Sequence, residues 1–211
     1  MTATGDTATS KLELIMGRDG LARLADSTVM VLGVGSNCME ALARGGVGRL
    51  IVVDHDVVQA SNINRQSIAF TSTIGRKKVD VARAMVADIN PAAQVEAIDE
   101  FLLAENVPAF LDAHAGGADY VVDAIDTISA KLAIAQYADE RGLRLISSMG
   151  AANKLRPECF RVADVYDTVN CPLCRIMRKE ARKRGIRRLR VLYSCEQPVP
   201  VPVREGAERR E

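Results

Sequence analysis

No apolar run in the 211-residue sequence approaches the ~18 residues that a membrane-spanning helix requires, which excludes such a helix and a membrane partner. The opening stretch MTATGDTATSKLEL is polar and offers no apolar signal core, so the expected location is the cytoplasm. An excess of either charge is also lacking. Lysine and arginine number 28 against 27 acids, a net +1, so any basic surface has to be local. The cysteines (Cys38, Cys159, Cys171, Cys174 and Cys195) are odd in number, and in a chain without a signal segment they read as thiols rather than a disulfide framework. Internal repeats and low-complexity linkers are absent. What is present is ordinary for a soluble globular protein, 48% hydrophobic and 26% charged, and long enough to build a core without staples.

Strand-like and helix-like segments alternate along most of the chain. SKLELIMGRDGLARLADS has the spacing of short helices. Val29–Leu32 reads as a buried strand, Ser36 to Arg44 as a helix stopped by Gly45 and Gly46, and Leu50–Val53 as a second strand. A long connection through SNINRQ leads to a helix near Lys77–Ile89, ended by Asn90-Pro91. Further strands are expected at Val95–Ile98, within ADYVVDAID and at Arg144–Ser147, with helices at Glu105–Leu111 and Ser129–Glu140. This alternation predicts an α/β fold: a Rossmann-like, doubly wound, mostly parallel sheet with helices on both faces. Beyond Pro157 the pattern changes to strand (CFRVADVYD), helix (CPLCRIMRKEARKRG) and strand (RLRVLYSCE), and then to a Pro-rich, charged tail read as extended or disordered. The expected organisation is a nucleotide-binding domain over 1–157 and a small α/β extension over 158–211 that completes it.

The chemistry concentrates in three places. Gly33-Val34-Gly35 joins the first strand to the first inner helix, a turn that aims helix N–H groups at a phosphate. Asp54 follows about 20 residues later at the tip of the next strand, where a carboxylate can hold ribose hydroxyls. Either NAD or ATP fits these residues alone. SNINRQ then sets Asn62, Asn64, Arg65 and Gln66 directly after that aspartate, a cluster for which a dehydrogenase has no need. Arg65 can fork onto a terminal phosphate and Lys78 can add a second cation, stabilising charge that develops on departing pyrophosphate. Finally, DAIDT puts Asp123 and Asp126 at the C-terminal end of a strand, where a carboxylate suits Mg²⁺, and Lys131 follows in the next helix.

GVG…S, EALARGGVG, VVDHDVV, SNINRQ, IGRKK and DAIDT…K, in this order, resemble the ATP-dependent adenylating enzymes that include ThiF, MoeB and the ubiquitin-activating enzymes. The resemblance implies a homodimer using ATP and Mg²⁺ to make an acyl-adenylate. It implies that Gly33 and Gly35 form the phosphate turn and that Asp54 holds the ribose. Asn62, Arg65 and Lys78 would bind the phosphates, Gln66 would support their loop, and Asp126 would organise the metal. Arg65, Lys78 and Asp126 are then the catalytic set. Lys11 stands where relatives have an arginine that reaches the partner subunit's phosphate site, and lysine keeps the charge but loses the fork.

Sulfur-carrier members of that family close a zinc site with two CxxC pairs. This chain has one, Cys171 and Cys174; Cys195 offers a third thiol, and both histidines, His55 and His114, lie in the nucleotide-binding part. ELIMGRDGLARL, CPLCRIMRKEARKRG and VLYSCEQP resemble instead the branch of TcdA-type tRNA threonylcarbamoyladenosine dehydratases. That branch implies cyclisation of threonylcarbamoyladenosine in tRNA. The alternatives are adenylation of a ubiquitin-like sulfur-carrier protein, with a sulfur-transfer or carrier protein as partner, and a non-catalytic relative with impaired ATP binding. The last is raised by the glycine turn. The family pattern is G-x-G-G-x-G-S, whereas here Gly35 runs straight into Ser36, about three residues short, which implies either weakened ATP binding or residues missing from this turn. For tRNA the expected surface is a helix over Pro172 to Arg184. There Leu173, Ile176, Met177 and Ala181 face the core, and Arg175, Arg178, Lys179, Arg182 and Lys183 face outward.

Overall fold

A computed structural model of the chain describes residues 7–200. Most of the Pro-rich, charged tail read as extended or disordered lies at 201–211, outside the described residues. The first helix, α1 (Ser10–Ala25), is kinked at Gly17, whose φ of 69° and ψ of 172° interrupt the helical run. Then follow β1 (Thr28–Leu32), α2 (Ser36–Arg44), β2 (Arg49–Val53), two 3-10 turns at Ala60–Asn62 and Thr71–Thr73, α3 (Lys78–Ile89) and β3 (Gln94–Ile98). The second half contains α4 (Val107–His114), β4 (Tyr120–Asp123), α5 (Ile128–Arg141), β5 (Leu145–Ser148), β6 (Phe160–Asp164), α6 (Pro172–Lys183) and β7 (Arg190–Ser194).

The strands form one seven-stranded sheet in the order β3-β2-β1-β4-β5-β7-β6. All neighbours run parallel except the last pair, where β6 returns antiparallel to β7. The segment after Pro157 therefore continues this sheet rather than building one of its own. The α4 helix starts and ends slightly later than the sequence spacing predicts, and β4 stops at Asp123. That early stop matters, because it turns the following residues into a loop at the strand's C-terminal end.

Alternation along the central strands sorts side chains between two cores. Val29 and Val31 of β1, with Leu50 and Val52 of β2, pack against Met39 and Ala43 of α2 and Val79, Ala82 and Val86 of α3. The intervening Met30 and Leu32, with Ile51 and Val53, belong to the opposite core with Phe110, Leu111, Leu132, Ile134 and Met177 from α4, α5 and α6. Both faces of β1 are thus covered, which is why TVMVL carries no polar alternation. Trimming Leu32 or Ile51 to Ala would cost about 2–5 kcal/mol.

Register fixes where a ligand can sit. Leu32 is level with Val53 of β2 and with Asp123 of β4. The next residues out, Gly33, Asp54 and Ala124, therefore emerge side by side. The chain leaves β1 toward β2 and β3 and later returns to its other side with β4, so these three residues mark a topological switch point, where open α/β sheets bind ligands.

Candidate active site

At this switch point lies a cavity of about 150 Å³ lined by Gly33, Val53–Asp56, Glu100–Leu102 and Ala124–Thr127. Its floor is the glycine turn. Gly33 has φ +74°, and a Cβ there would stand 2.8 Å from the carbonyl oxygen of Ala124, so only glycine fits. Gly35 (φ +47°) caps α2 from the left-handed region, and its carbonyl accepts from Cys38 N–H at 2.8 Å and Met39 N–H at 3.0 Å. Short as it is, the turn runs from Gly33 in the cavity lining directly into the start of α2 behind it. The first N–H groups of a helix have no intrahelical partner, and they carry its positive pole.

Asp54 is tied into that turn. Val34 N–H donates to its Oδ2 at 2.9 Å and Asp56 N–H to its Oδ1 at 2.8 Å, so the carboxylate both lines the cavity and holds the glycine turn's shape. His55 packs against Phe101 with the rings tilted by 46° and their centroids 4.1 Å apart. Asp56 points to Lys78, whose Nζ lies 2.6 Å from its Oδ2. Lys78 is itself buried, at 7% exposure, while Asp56 is half open to solvent. Asp54, His55 and Asp56 each offer a ligand atom within 4.8 Å of the others.

The SNINRQ loop lies over the start of α2. Ser67 N–H donates to Ser36 Oγ at 3.0 Å, and Asn37 Nδ2 donates to the Arg65 carbonyl at 3.3 Å. Asn62 is buried and works inward. Its Oδ1 accepts from Gln59 N–H at 3.0 Å, and its carbonyl accepts from Arg65 N–H and Gln66 N–H, closing the 3-10 turn. Arg65 is exposed, with one guanidinium nitrogen donating to the Ser61 carbonyl at 2.8 Å and to Asn64 Oδ1 at 2.9 Å. Gln66 Oε1 is buried with no hydrogen-bond partner among the described residues. A buried acceptor left unpaired costs about 1–3 kcal/mol, which marks a place where a donor is wanted.

The structure divides the two aspartates of DAIDT. Asp123 is fully buried: its Oδ2 accepts from Lys131 Nζ at 2.9 Å and from Ser147 Oγ, and its Oδ1 accepts from Ile125 N–H at 3.1 Å. Lys131 is 1% exposed, so this is an ion pair sealed under the site, bracing the loop that follows β4. Asp126, at the far side of that loop, is exposed and lines the cavity. Carboxylate oxygens from Asp54 and Asp56, which converge, suit a hard cation such as Mg²⁺, and Asp126 lines the same cavity outside that converging group.

Of the residues expected from sequence, the cavity collects Gly33, Asp54 and Asp126 directly. Gly35 stands behind it at the head of α2, and Lys78 joins through Asp56. Asn62, Arg65 and Gln66 do not line it; they form the loop clasped to α2 beside it. Asp56, Phe101 and Ser147 went unnoticed in the sequence; Asp123 and Lys131 were singled out there, but not as partners in a buried ion pair, and His55 only as a histidine of the nucleotide-binding part. The second aspartate of VVDHD, two residues after the first, was the available signal for Asp56. Lys11 is exposed on the first turn of α1 and is not part of the lining.

The basic helix needs a correction. On α6 the buried positions are Cys174, Met177 and Ala181, with Ile176 43% exposed rather than core-facing. Arg178 is not a free cation. It is half-buried and donates to Thr168 O and Thr168 Oγ1, both at 2.8 Å, stitching α6 to the preceding turn. Lys183 pairs with Glu180 at 2.7 Å, and Arg182 lies 5.3 Å over the Tyr166 ring. Arg175, Lys179, Arg188 and Arg190 are exposed and form no ion pair with the described residues.

This geometry agrees with what comparison finds. The sequence pattern of the ThiF family matches residues 8–189. The tRNA threonylcarbamoyladenosine dehydratase of Bacillus subtilis is 45% identical over 196 residues, covering 91% of this chain and 76% of its own length. The protein of that name from Haemophilus influenzae is 38% identical over 168 residues, 78% of this chain and 63% of its own. Among solved structures, the Escherichia coli tRNA N6-threonylcarbamoyladenosine dehydratase TcdA in complex with ATP superposes with a TM-score of 0.84 at 29% identity. That match covers 90% of this chain and 81% of the other. By its family pattern, its fold and the glycine turn at its switch point, the chain belongs to the ThiF family.

Proposed function

We propose that this chain is an ATP-dependent adenylating enzyme that cyclises threonylcarbamoyladenosine in tRNA. The observation that carries the reading is the switch-point cavity, in which the glycine turn, Asp54 and Asp126 meet within a fold shared with an ATP-bound dehydratase. The threonyl carboxylate attacks the α-phosphorus of ATP and pyrophosphate leaves. A nucleophile within the modified nucleoside then attacks the acyl carbon and expels AMP, so the net change is loss of water from the nucleoside.

The chain's own residues supply binding, positioning and charge. The start of α2 receives phosphate oxygens, Asp54 presents its remaining lone pairs to the ribose, and Phe101 and Leu102 give the base an apolar wall. Asn62 fixes the loop, and Arg65, exposed at the head of α2, swings from its own loop carbonyl to the phosphates. Lys78 exchanges Asp56 for a phosphate oxygen, and Gln66 Oε1 takes a donor that its loop lacks. Asp126, with Asp54 and Asp56, would hold Mg²⁺, which neutralises charge on the departing pyrophosphate. Placing the carboxylate and the α-phosphorus together accounts for much of the acceleration, since well-oriented groups gain on the order of 7–11 kcal/mol.

A homodimer is part of the proposal. Leu14 and Ile15 of α1 are more than 80% exposed, and Phe70 and Ile74 are also open, apolar area that a second copy would cover. Lys11, on the same helix, then reaches toward the partner's phosphates. No helix among the described residues is long and apolar enough to cross a membrane, and a cytoplasmic location suits a tRNA substrate. The test is direct. Incubated with ATP, Mg²⁺ and tRNA carrying threonylcarbamoyladenosine, the protein should release pyrophosphate and AMP, and the nucleoside should lose one water. Adenylation of a Gly-Gly carrier protein but not of modified tRNA would overturn the substrate. Absence of ATP binding by calorimetry would overturn the enzyme.

A further inference from the structure

Four of the five cysteines stand in two pairs, one at the N-terminus of α6 and one where β7 ends beside the start of β6. Cys171 is the N-cap of α6, and Cys174 N–H donates to its Sγ at 3.4 Å. Pro172 fixes the first helical position between them. Cys159 and Cys195 face each other one step beyond the last β6–β7 pair, Phe160 and Ser194, with Cys195 N–H bonded to the Cys159 carbonyl at 3.0 Å. Asn170, in the left-handed region at φ +56°, joins the pairs: it precedes Cys171, and its side chain donates to the Cys195 carbonyl at 3.0 Å. Lys154 Nζ donates to the carbonyls of Asn170 and Glu196 from the same side. Among the described residues no three of these thiols converge closely enough to hold one metal ion.

We propose that Cys171 and Cys174 are a thiol–disulfide exchange site, with Cys171 the attacking thiolate, Cys174 the resolving thiol and a low-molecular-weight disulfide as the oxidant. A cysteine at N-cap with a second at the third helical residue sets the two thiols side by side, in hydrogen-bond contact here, the arrangement that CxxC oxidoreductases use. The helix's positive pole and Lys154 favour charge on Cys171. The Cys174 thiol donates to it, so Cys171 is held at about 6 and Cys174 is pushed up. The N-cap position, where Cys171 Sγ accepts from the Cys174 N–H, assigns it the attacking role and leaves Cys174, inside the helix and 1% exposed, to resolve. Cys171 attacks one sulfur of the reagent and releases one thiol. Cys174 then loses its proton and attacks Cys171 Sγ, releasing the second thiol; the protein is oxidised by two electrons and the reagent reduced by two. Cys171 is 6% exposed, so the reagent enters when the Asn170–Lys154 clasp, made of hydrogen bonds near the surface, opens locally.

The test uses the full chain, treated at neutral pH with excess oxidised glutathione and then alkylated and digested. The stretch from Val162 to Arg175 contains both cysteines and no internal basic residue, so trypsin releases them together. The expected result is that this peptide loses two hydrogen masses and regains them with dithiothreitol. In a Cys174→Ser variant, Cys171 should hold one glutathione as a trapped mixed disulfide. In Cys171→Ser, Cys174 should remain unmodified. A fully alkylated peptide from the treated parent protein would overturn the proposal, as would glutathione on Cys174 and Cys171 alike in the two variants. Purified protein carrying one zinc per chain, with all four thiols resistant to alkylation until a chelator is added, would overturn it in favour of a metal centre.

Discussion

Replacing Asp123 with Asn tests the buried ion pair under the site. Asp123 and Lys131 have side-chain exposures of 0% and 1%, at 2.9 Å, with Ser147 closing the third side. Asparagine keeps the shape and an acceptor for Ile125 N–H, but leaves the Lys131 ammonium without a counter-charge in the core. Breaking one partner of a buried pair costs about 3–5 kcal/mol, most of it the uncompensated charge. For a domain of this size each kcal/mol lowers Tm by roughly 2–4 °C, so Asp123→Asn should melt about 6–20 °C below the parent. The double variant Asp123→Asn/Lys131→Met removes the stranded charge and should recover most of that loss, because the pair itself contributes little beyond an apolar replacement. Thermal unfolding followed by far-ultraviolet circular dichroism reads both. A single variant within 1 °C of the parent, or a double variant no better than the single, would refute the account of Lys131 as a charge that needs Asp123. Below their melting points both variants should also bind ATP more weakly, since Asp123 braces the loop that carries Asp126.

The remaining predictions separate site from scaffold. Asp126→Ala, at an exposed position, should leave Tm within about 1 °C and lower the rate of pyrophosphate release by orders of magnitude; near-normal turnover would remove Asp126 from the catalytic set. Inserting Gly-Gly-Val after Val34 recreates the longer family turn and should tighten ATP binding in calorimetry at fixed Mg²⁺, whereas unchanged affinity would mean that Gly33 and Gly35 with α2 already suffice. Arg175, Lys179 and Arg188 changed together to Gln should flatten the salt dependence of tRNA binding by roughly two to three units and leave ATP affinity alone. Arg178→Gln should instead lower Tm, because its donors hold Thr168; a salt slope that falls with Arg178 alone would reverse this division.

The sheet was legible because its physics is local. Unbroken apolar runs in TVMVL and LIVV, glycine stops and Asn90-Pro91 each act over a few residues, and right-handed crossovers then place helices on both faces of a parallel sheet. The site was legible only as far as residue type and strand end determine position. Gly33 and Asp54 had to emerge together because Leu32 and Val53 are in register. DAIDT, by contrast, contains two aspartates that no local rule separates. Which one is buried depends on Lys131, a turn into α5, and on Ser147 across the sheet, both long-range facts. Arg178 illustrates the same limit from the surface. Helical spacing places it on the basic face with Arg175 and Arg182, yet Thr168 on the preceding turn engages its guanidinium. Charge in a sequence therefore counts candidates for binding, and burial decides how many are available. On α6 and the strand after it, that reduces nine basic residues between Arg175 and Arg190 to a smaller unpaired set, and the tRNA contact has to be sought on Arg175, Lys179, Arg188 and Arg190.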